Sequence, residues 1–456
     1  MLKFNSKPVA EHSEVPLGDD GQLEKLVARF NDREEAPAGP EGAVCYVVSV
    51  GPERDPVARA AQLAEIVSLV QHQGGQVVGQ EIVRLTRPHA RTLLGTGTAQ
   101  AIAERARAQG ATLLVLDAEL TPSQTRNLED ALGMPLCDRE AVILNVFLRH
   151  ARTRRARIQV EIAQLEYLRP RIRGLGLDMD QQTGGNKYAR GPGETASELM
   201  ARKLDGRLKQ LKLALESCEK SGQVQRQQRS SAQRVALVGY TNAGKTSLMN
   251  ALTRAELSAR DMPFETLDTT SRCLTRHGSE IVLSDTVGFI RRLPERLLAS
   301  FHSTLSEISE ASLLLIVVDV SDPERELQLE TTLRLIEQIG AQDVPRFYVF
   351  NKLDRSTAPP EPNELAALCD GHPWQMLSAH DAPAVALLQQ RLIEQVRSRE
   401  EQDTLFIPYG RSNQLSLIYA NCRVLGSEAG DAGLKLQVQA SPAVMARLRG
   451  SLKGVH

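Results

Sequence analysis

The stretch Gly239–Ser247, which reads GYTNAGKTS, constrains the fold of this chain more than any other. It follows an apolar run, Val235–Val238, and precedes a helix-like segment, so the local order is strand, glycine-rich turn, helix. It fits the pattern G-x-x-x-x-G-K-[ST], in which the glycines let successive backbone N–H groups converge on a phosphate chain. The pattern therefore predicts a nucleoside triphosphate site in a doubly wound α/β domain.

The residue types of this loop suit phosphate chemistry. Lys245 can reach the β- and γ-phosphates, and the hydroxyl of Thr246 can bind Mg²⁺. The helix that follows presents its positive N-terminal end to the same anion. The loop residues that we expect to contact the nucleotide are Gly239, Tyr240, Thr241, Asn242, Ala243, Gly244, Lys245, Thr246 and Ser247.

A second motif follows the strand-like run Ile281–Ser284 and consists of Asp285, Thr286, Val287 and Gly288. Asp285 is placed to act on the magnesium ion through its water shell. The amide of Gly288 is placed to meet the γ-phosphate. All four residues therefore belong to the predicted nucleotide site.

A third motif, N-K-L-D at positions 351 to 354, specifies the base. The carboxylate of Asp354 can accept both the ring N1–H and the exocyclic amino group of guanine. Adenine lacks both donors, and sites built on such a difference discriminate by roughly 10⁴–10⁵. The chain is therefore predicted to bind and hydrolyse GTP. The predicted base-binding residues are Asn351, Lys352, Asp354, Ser378 and Ala379.

The catalytic group is not identified by these motifs. Where Ras-like GTPases carry the glutamine that orients the attacking water, this chain has Phe289, so we expect slow intrinsic hydrolysis. Asn242 stands where potassium-activated P-loop GTPases bind K⁺, whose charge would replace an arginine finger worth roughly 10³–10⁵ in rate. Alternatively, Asn242 only braces the loop by hydrogen bonds to the backbone. Arg291 and Arg292 either stabilise transition-state charge or face a partner or solvent.

The predicted magnesium-binding residues are Thr246, Thr266 and Asp285. We place Thr266 in this set because it lies in the sequence F-x-T-L, the expected switch I segment. Thr269 and Thr270 are the alternatives for the same ligand position. The predicted cofactors are thus Mg²⁺ and, through Asn242, K⁺.

Composition restricts the cellular setting. Six cysteines are scattered without a C-x-x-C pair, which favours reduced thiols and argues against zinc sites and disulfides. No apolar run approaches the ~18 residues of a membrane span, and the N-terminus lacks a signal peptide pattern. We expect a cytoplasmic monomer, with peripheral membrane association left open.

Changes in pattern divide the chain into five parts. The second part alternates strands with helices, which predicts a small parallel α/β domain. Its segment Gly95–Thr98 resembles half a dinucleotide fingerprint, but a plain turn before a helix is favoured. The predicted parts are a flexible extension at 1–42 with a short helix near Leu23–Phe30, the α/β domain at 43–138, a basic helical hairpin at 139–232, the GTPase domain at 233–400 and an α+β domain at 401–456.

The third part is predicted to be an antiparallel helical hairpin. Its first helix carries an apolar stripe over Arg157–Leu168 and is expected to end at Pro170. Its second helix runs from about Glu194 to Lys220, after a glycine-rich tip. From residue 149 to residue 234 there are 19 Lys and Arg against 9 Asp and Glu, a charge of +10. Such an arm suits a phosphate-rich groove, or is a solvated linker.

Several separated strings identify the chain as similar to the HflX family of translation-factor-class GTPases. They are RGPGE at 190–194, FETLDTT at 264–270, DTVGFI at 285–290, LTPSQ at 120–124, RNLE at 126–129 and QVEIAQL at 159–165. The resemblance runs from about residue 43 to the C-terminus. The arm departs from the family pattern between Gly184 and Ala201, which leaves a modified ribosomal role open.

The resemblance implies a GTPase that binds the large (50S) ribosomal subunit and its rRNA. It implies that the N-terminal domain and the arm approach the peptidyl-transferase region, and that the protein splits stalled or idle ribosomes under stress. Two alternatives share the same nucleotide residues: a GTPase of ribosome assembly or RNA modification, and a GTP-gated binding switch with little intrinsic hydrolysis. A kinase is disfavoured by the N-K-L-D motif.

Overall fold

The computed structural model describes residues 42–51, 55–182, 196–228, 232–253, 270–275, 281–356, 358–411 and 413–453. The helix expected near Leu23–Phe30, the glycine-rich tip of the arm and Thr266 lie outside the described residues.

The N-terminal domain is a parallel sheet with helices on both faces, as the alternating pattern predicts. The strands lie in the order β2-β1-β3-β4, and each adjoining pair is parallel. They are β1 Val44–Gly51, β2 Gln76–Arg84, β3 Leu113–Asp117 and β4 Leu136–Asp138. The helices are α1 Pro56–His72, α2 Thr96–Ala108, α3 Pro122–Leu132 and α4 Arg139–His150. Gly95 is the residue before α2, so the Gly95–Thr98 segment begins a helix.

The string LTPSQ at 120–124, one of those that carry the family resemblance, forms the N-terminus of helix α3. Thr121 and Gln124 form a capping box, in which each side chain accepts from the other residue's backbone N–H. The amide of Gln124 also donates to the carbonyl of Ala90, and Asn127 donates to the carbonyl of Arg91. These side chains therefore fix the exposed loop that precedes α2.

The helical arm consists of α5 Arg154–Gln182 and α6 Ala196–Gln228. The two helices pack through a buried apolar cluster, and three ion pairs link them on the outside. The cluster contains Ile158, Ile162, Leu165, Leu204, Leu208 and Leu211. The pairs are Glu161–Arg207, Glu166–Lys212 and Arg169–Asp205.

The expectation that Pro170 ends the first helix of the arm is wrong, because α5 continues through it to Gln182. A proline inside a helix removes one hydrogen bond and costs about 3 kcal/mol. The next residue offsets this cost. The guanidinium of Arg171 lies 3.5 Å from the ring centroid of Tyr167 and pairs with Asp138 at 2.9 Å. Tertiary contacts with the N-terminal domain thus hold the helix together at a weak position.

The GTPase domain contains a second sheet, in the order β10-β9-β8-β5-β7-β6. Its strands are parallel except β6, which pairs antiparallel with β7. The strands are β5 Gln233–Gly239, β6 Thr270–Thr275, β7 Ile281–Asp285, β8 Leu313–Asp319, β9 Arg346–Asn351 and β10 Trp374–Met376. The helices are α7 Lys245–Thr253, α8 Glu295–Ser309, α9 Arg325–Gln338, α10 Pro362–Leu368 and α11 Ala382–Arg397, with a 3-10 turn at Leu353–Arg355.

The C-terminal domain is the predicted small α+β module. Its antiparallel sheet has the order β11-β13-β12. The elements are β11 Glu401–Pro408, a 3-10 turn at Tyr409–Arg411, α12 Asn413–Asn421, β12 Arg423–Gly430, β13 Gly433–Ala440 and α13 Pro442–Lys453. Side chains of both helices pack against one face of this sheet, and together they form the hydrophobic core of the C-terminal domain.

One hydrophobic core joins the N-terminal domain to the GTPase domain. It contains Phe147 of α4 and Phe301 of α8, whose ring centroids lie 5.2 Å apart. It also contains Val287, Phe289 and Ile290, which follow Asp285 at the nucleotide site. The relative position of the two domains is therefore tied to the main chain beside that site.

Within the described part of the chain, no helix is both long and apolar enough to cross a membrane.

Removing the ring of Phe147 tests this shared core. Phe147 is fully buried, so Phe147→Ala should lower the free energy of unfolding by about 3–5 kcal/mol. Denaturant unfolding measures the loss. The matched control is Phe406→Ala, at a ring 48% exposed, which should change the stability by less than about 0.5 kcal/mol. A loss at Phe147 as small as that of the control would contradict the packing described here.

Candidate nucleotide site

The P-loop approaches neighbouring strands so closely that two of its glycines have no room for a side chain. A Cβ at Gly239 would lie 2.2 Å from the carbonyl oxygen of Val317 in β8. At Gly244, with φ of +88°, a Cβ would lie 2.3 Å from the side-chain nitrogen of Asn351. These contacts place the loop between the ends of β8 and β9, where parallel α/β sheets bind ligands.

Asn242 adopts a left-handed backbone conformation, with φ of +63°, that asparagine tolerates better than most residues. Its side chain is exposed. No hydrogen bond links it to another residue that the structure describes, so the bracing role receives no support from these contacts. An exposed amide oxygen remains available to a cation.

Lys245 is buried, and its ammonium donates to the carbonyls of Gly239 at 3.0 Å and Tyr240 at 2.8 Å. Burial lowers the pKa of Lys245 to about 8. The carboxylate of Asp285 opposes this shift of the pKa, whereas the positive charge of Lys352 adds to it. The P-loop thus presents a cation whose charge is costly without an anion beside it.

Two of the three predicted magnesium residues, Thr246 and Asp285, meet at the start of α7. The hydroxyl of Thr246 donates to a carboxylate oxygen of Asp285 at 2.7 Å. Thr270, at the start of β6, lies opposite Asp285 in the strand register. Hydroxyl and carboxylate oxygens are the hard ligands that Mg²⁺ prefers, so the donor set fits this ion. Thr286 instead turns its hydroxyl to the carbonyl of Leu237, at 2.6 Å, and therefore fixes β7 to β5.

The segment after Asp285 lies against the P-loop. A Cβ at Gly288 would lie 2.9 Å from Cγ2 of Thr241 and 3.2 Å from Nζ of Lys245, so a side chain there would force these neighbours to shift. The next residue, Phe289, donates its N–H to the carbonyl of Gly239 at 3.0 Å and accepts from the N–H of Thr241 at 2.7 Å. Its ring is 1% exposed. The side chain that replaces the usual glutamine is thus inside the core, where it cannot contact water.

Arg291 is also buried, although the sequence gives no sign of this. Its guanidinium pairs with Glu324 at the start of α9 and lies 3.9 Å from Glu65 of the N-terminal domain. Burial by itself lowers the pKa of Arg291, but these carboxylates raise it by more, so the pKa lies above its ordinary value. Arg291 therefore pairs with carboxylates from two domains, and these carboxylates balance its charge. Arg292 has a left-handed backbone, with φ of +49°.

The base-binding residues form a connected set at the ends of β9 and β10. The side chain of Asn351 donates to the carbonyl of Ala243 at 3.1 Å and accepts from the N–H of Ala379 at 3.0 Å. It therefore joins the P-loop to the last loop of the site. The hydroxyl of Ser378 donates to Asp354 at 2.5 Å, which lowers the pKa of that carboxyl and fixes its orientation.

Lys352 pairs with Asp319 at the end of β8, with 2.8 Å between Nζ and the carboxylate. Asp319 was not predicted from the sequence as a residue of the site. Its position at the end of a strand next to β9 could have indicated this role. The other predicted residues lie nearby. Ala243 and Val287 are buried apolar residues, and Ser247 is half-buried in the first turn of α7.

Three family models match consecutive parts of the chain. A model described as GTP-binding GTPase N-terminal matches residues 60–148, and one described as GTP-binding GTPase Middle Region matches residues 150–229. A model described as 50S ribosome-binding GTPase matches residues 234–352. The last match contains the P-loop, the Asp285–Gly288 motif and the first part of the base site.

Proteins named GTPase HflX are similar over nearly the whole chain. The protein from Gluconacetobacter diazotrophicus is 41% identical over 441 residues, covering 88% of this chain and 96% of that protein. The one from Spirochaeta thermophila is 38% identical over 401 residues, covering 87% and 96%. Among solved structures, a GTP-binding protein from Sulfolobus solfataricus in complex with GDP is 21% identical, with a TM-score of 0.42, covering 78% of this chain and 99% of that one.

The lowered pKa of Lys245 predicts that nucleotide binding takes up a proton. Phosphate favours the charged ammonium, so the pKa of Lys245 in the complex exceeds its value of about 8 in the free protein. The affinity for GTP should therefore be constant below about pH 8 and fall by up to tenfold per pH unit above it. Calorimetric titration at about pH 8.5, in buffers of different ionisation enthalpy, measures the uptake. Lys245→Arg should bind without it, because arginine stays charged; absence of proton uptake in the unaltered protein would contradict the assignment.

The geometry of Asp354 predicts the basis of guanine selection. Asp354→Asn should lower the preference for GTP over ATP by about 10² or more, because asparagine is uncharged and its amide nitrogen cannot accept the second N–H of guanine. Competition of GTP and ATP for a fluorescent guanine nucleotide measures this preference. Asp343→Asn, at an exposed aspartate of the same domain, is the control and should leave it unchanged. Equal selectivity in both variants would remove Asp354 from the base site.

Proposed function

This chain belongs to the HflX family of GTPases, and from that premise we propose that it hydrolyses GTP on the large ribosomal subunit and thereby separates stalled or idle ribosomes into subunits. The observation that carries the proposal is the match of residues 234–352 to a 50S ribosome-binding GTPase model, over the P-loop, the Asp285–Gly288 motif and the first part of the base site. We place this activity in the cytoplasm, with the protein acting as a monomer.

The residues of the site have separate roles in GTP hydrolysis. Lys245 and the amide of Gly288 bind the γ-phosphate, and Asp354 and Asn351 orient the base and its loop. Thr246 and Thr266 would hold Mg²⁺, and Asp285 would contribute through water. This ion would supply positive charge that neutralises the charge developing on the phosphates. These contacts position the nucleotide, and none of the residues assigned to them orients the attacking water.

The burial of Phe289 supports dependence on a partner. A ring that is 1% exposed offers neither a proton acceptor nor a donor to the water. The missing contribution then comes from outside this segment, and a ribosomal contact is the source that the family premise favours. The same observation favours a second reading, a GTP-gated switch whose ribosome binding matters more than its turnover.

A potassium ion at Asn242 is the proposed addition to this site. The exposed amide on a left-handed turn lies in the loop that is expected to surround the phosphates. A cation there would place positive charge beside the β- and γ-phosphates, as an arginine finger does.

The charge of the arm supports an RNA partner. Residues 149–234 carry a charge of +10, whereas the whole chain has −1. Part of this charge is neutralised within the arm by pairs such as Glu166–Lys212. Other basic residues of α6, including Lys209 and Lys220, are exposed. An arm of this kind binds phosphate in a salt-dependent manner, which fits rRNA.

The proposal predicts strong stimulation of hydrolysis by the large subunit. In potassium buffer, purified 50S subunits should raise the single-turnover rate by on the order of 10² or more, because correct placement of a reacting group is worth that much. Small subunits are the matched control and should not stimulate. Gradient sedimentation of intact ribosomes with the protein and GTP should show separated subunits. Lys245→Ala should abolish both effects.

The outcomes separate the alternatives. Stimulation by immature large subunits or free rRNA, without stimulation by mature subunits, would favour a role in assembly or RNA modification. Binding to mature subunits without stimulation would favour the GTP-gated switch. Intact GTP binding with neither binding nor stimulation would reject the ribosomal proposal and leave the GTPase activity. Replacement of K⁺ by Na⁺ should slow the unaltered protein but not Asn242→Ala.

A further inference from the structure

Two lysines with the same charge lie close together in the nucleotide site. Burial lowers the pKa of Lys245 to about 8, and the positive charge of Lys352 adds to this shift. Cε of Lys352 lies 3.8 Å from the position that a Cβ would take at Gly244. The side chain of Lys352 therefore runs along the P-loop, towards a cation that repels it. An opposite charge is needed to hold it there.

Asp319 supplies this charge from the end of β8, where it lies opposite Asn351 in the strand register. One of its carboxylate oxygens lies 2.8 Å from Nζ of Lys352, and each of the two side chains is 13% exposed. The other oxygen accepts from the N–H of Ser321 at 3.0 Å and from its hydroxyl at 2.6 Å. Both oxygens of the carboxylate are therefore bonded, and the ion pair is largely shielded from solvent.

The direction of the Lys352 side chain depends on this pair. The residues beside Lys352 have contacts of their own, since Asn351 joins the P-loop to the last loop of the site and Ser378 binds Asp354. Lys352 itself has a left-handed backbone, with φ of +62°, which is uncommon for a residue other than glycine. Among the residues that the structure describes, Asp319 alone forms an ion pair with Lys352.

Lys352 lies between the part of the site assigned to the phosphates and the part assigned to the base. Gly244, which its side chain contacts, belongs to the P-loop, and Asp354 follows it in the same motif. A nucleotide that reaches both parts passes beside the methylene groups of Lys352. These groups form an apolar surface as long as the ammonium is held elsewhere. Contact with that surface does not depend on the polar groups at the edge of the base.

We propose that Asp319 is a positioning residue that prolongs the residence of guanine nucleotides by holding Lys352 against the P-loop. With the ammonium on Asp319, the methylene chain stays beside the bound nucleotide. Without this carboxylate, repulsion from Lys245 turns Lys352 towards solvent, and the nucleotide leaves faster. The proposal rests on the guanine nucleotide site described above and is independent of the ribosomal partner.

The test measures the release of GDP and inosine diphosphate from the full-length protein, with ribose-labelled fluorescent derivatives displaced by excess GDP. Inosine diphosphate keeps the ring N1–H of guanine and lacks its exocyclic amino group. Asp319→Asn should release both nucleotides about tenfold faster, the factor that one hydrogen bond to a charged group represents. The preference for GDP over inosine diphosphate should not change, because Asp354 keeps its contacts with the edge of the base.

A double-mutant cycle with Lys352→Met separates this positioning role from a general effect on the fold. Methionine keeps an apolar chain but has no ammonium for Asp319 to hold. Lys352→Met should also release GDP faster, and adding Asp319→Asn should change that rate by less than about twofold. The matched control is Asp322→Asn, at a half-buried aspartate that accepts from the N–H of Glu324 and the amide of Gln328. The control should leave the release of GDP unchanged.

Unchanged release of GDP from Asp319→Asn would overturn the proposal. A loss of the preference for GDP over inosine diphosphate in this variant would show that Asp319 acts on Asp354 instead of Lys352. Effects that multiply in the double variant would show that Asp319 and Lys352 act separately, which also contradicts the proposal. Failure of the unaltered protein to bind any guanine nucleotide would instead reject the nucleotide site itself, an outcome distinct from normal binding that the substitutions do not alter.

Discussion

The nucleotide site depends on how closely two stretches of main chain approach each other at Gly239. No side chain fits there, because a Cβ would lie 2.2 Å from the carbonyl oxygen of Val317. This approach turns the carbonyl of Gly239 towards the ammonium of Lys245, and the lysine is then enclosed by the loop that it serves. The same carbonyl accepts the N–H of Phe289, so one glycine fixes both the P-loop and the segment after Asp285.

The site is consequently more than a property of the GTPase domain. Phe289 and its neighbours are part of a core that includes Phe147 of the N-terminal domain. Arg139 of that domain donates to the main-chain carbonyl of Arg291, and Arg139 and Arg291 both form buried ion pairs with Glu65. Buried pairs of this kind contribute little net stability but are costly to break one partner at a time. They fix the N-terminal domain against the segment that follows Asp285.

Much of the fold and of the site could be predicted from the sequence. The phosphate-binding and base-binding motifs depend on backbone geometry and on fixed spacing between residues. Both are local features, so they can be recognised in the sequence. The continuation of α5 through Pro170 was missed because it depends on Arg171 contacting Tyr167 and Asp138. The strand β12 could not be predicted from the sequence, because its glycines and polar residues have low strand propensity and its pairing with β13 decides its structure.

The link between the two domains could not be predicted for a similar reason. Arg139 contacts a carbonyl 152 residues further along the chain, and Tyr240 contacts Glu65 across 175 residues. No periodicity or motif encodes a contact at that separation. The burial of Arg291 is likewise decided by carboxylates on two other elements, so an arginine that looks exposed in the sequence is buried in the fold.

The proposed function requires that GTP bound at Lys245 and Gly288 brings the protein to the large ribosomal subunit and that GDP lets it leave. The most direct measurement is co-sedimentation of the protein with purified 50S subunits in the presence of a non-hydrolysable GTP analogue or GDP, at physiological salt. The account predicts retention with the analogue and release with GDP. Equal retention with both nucleotides, or retention with neither, would contradict it.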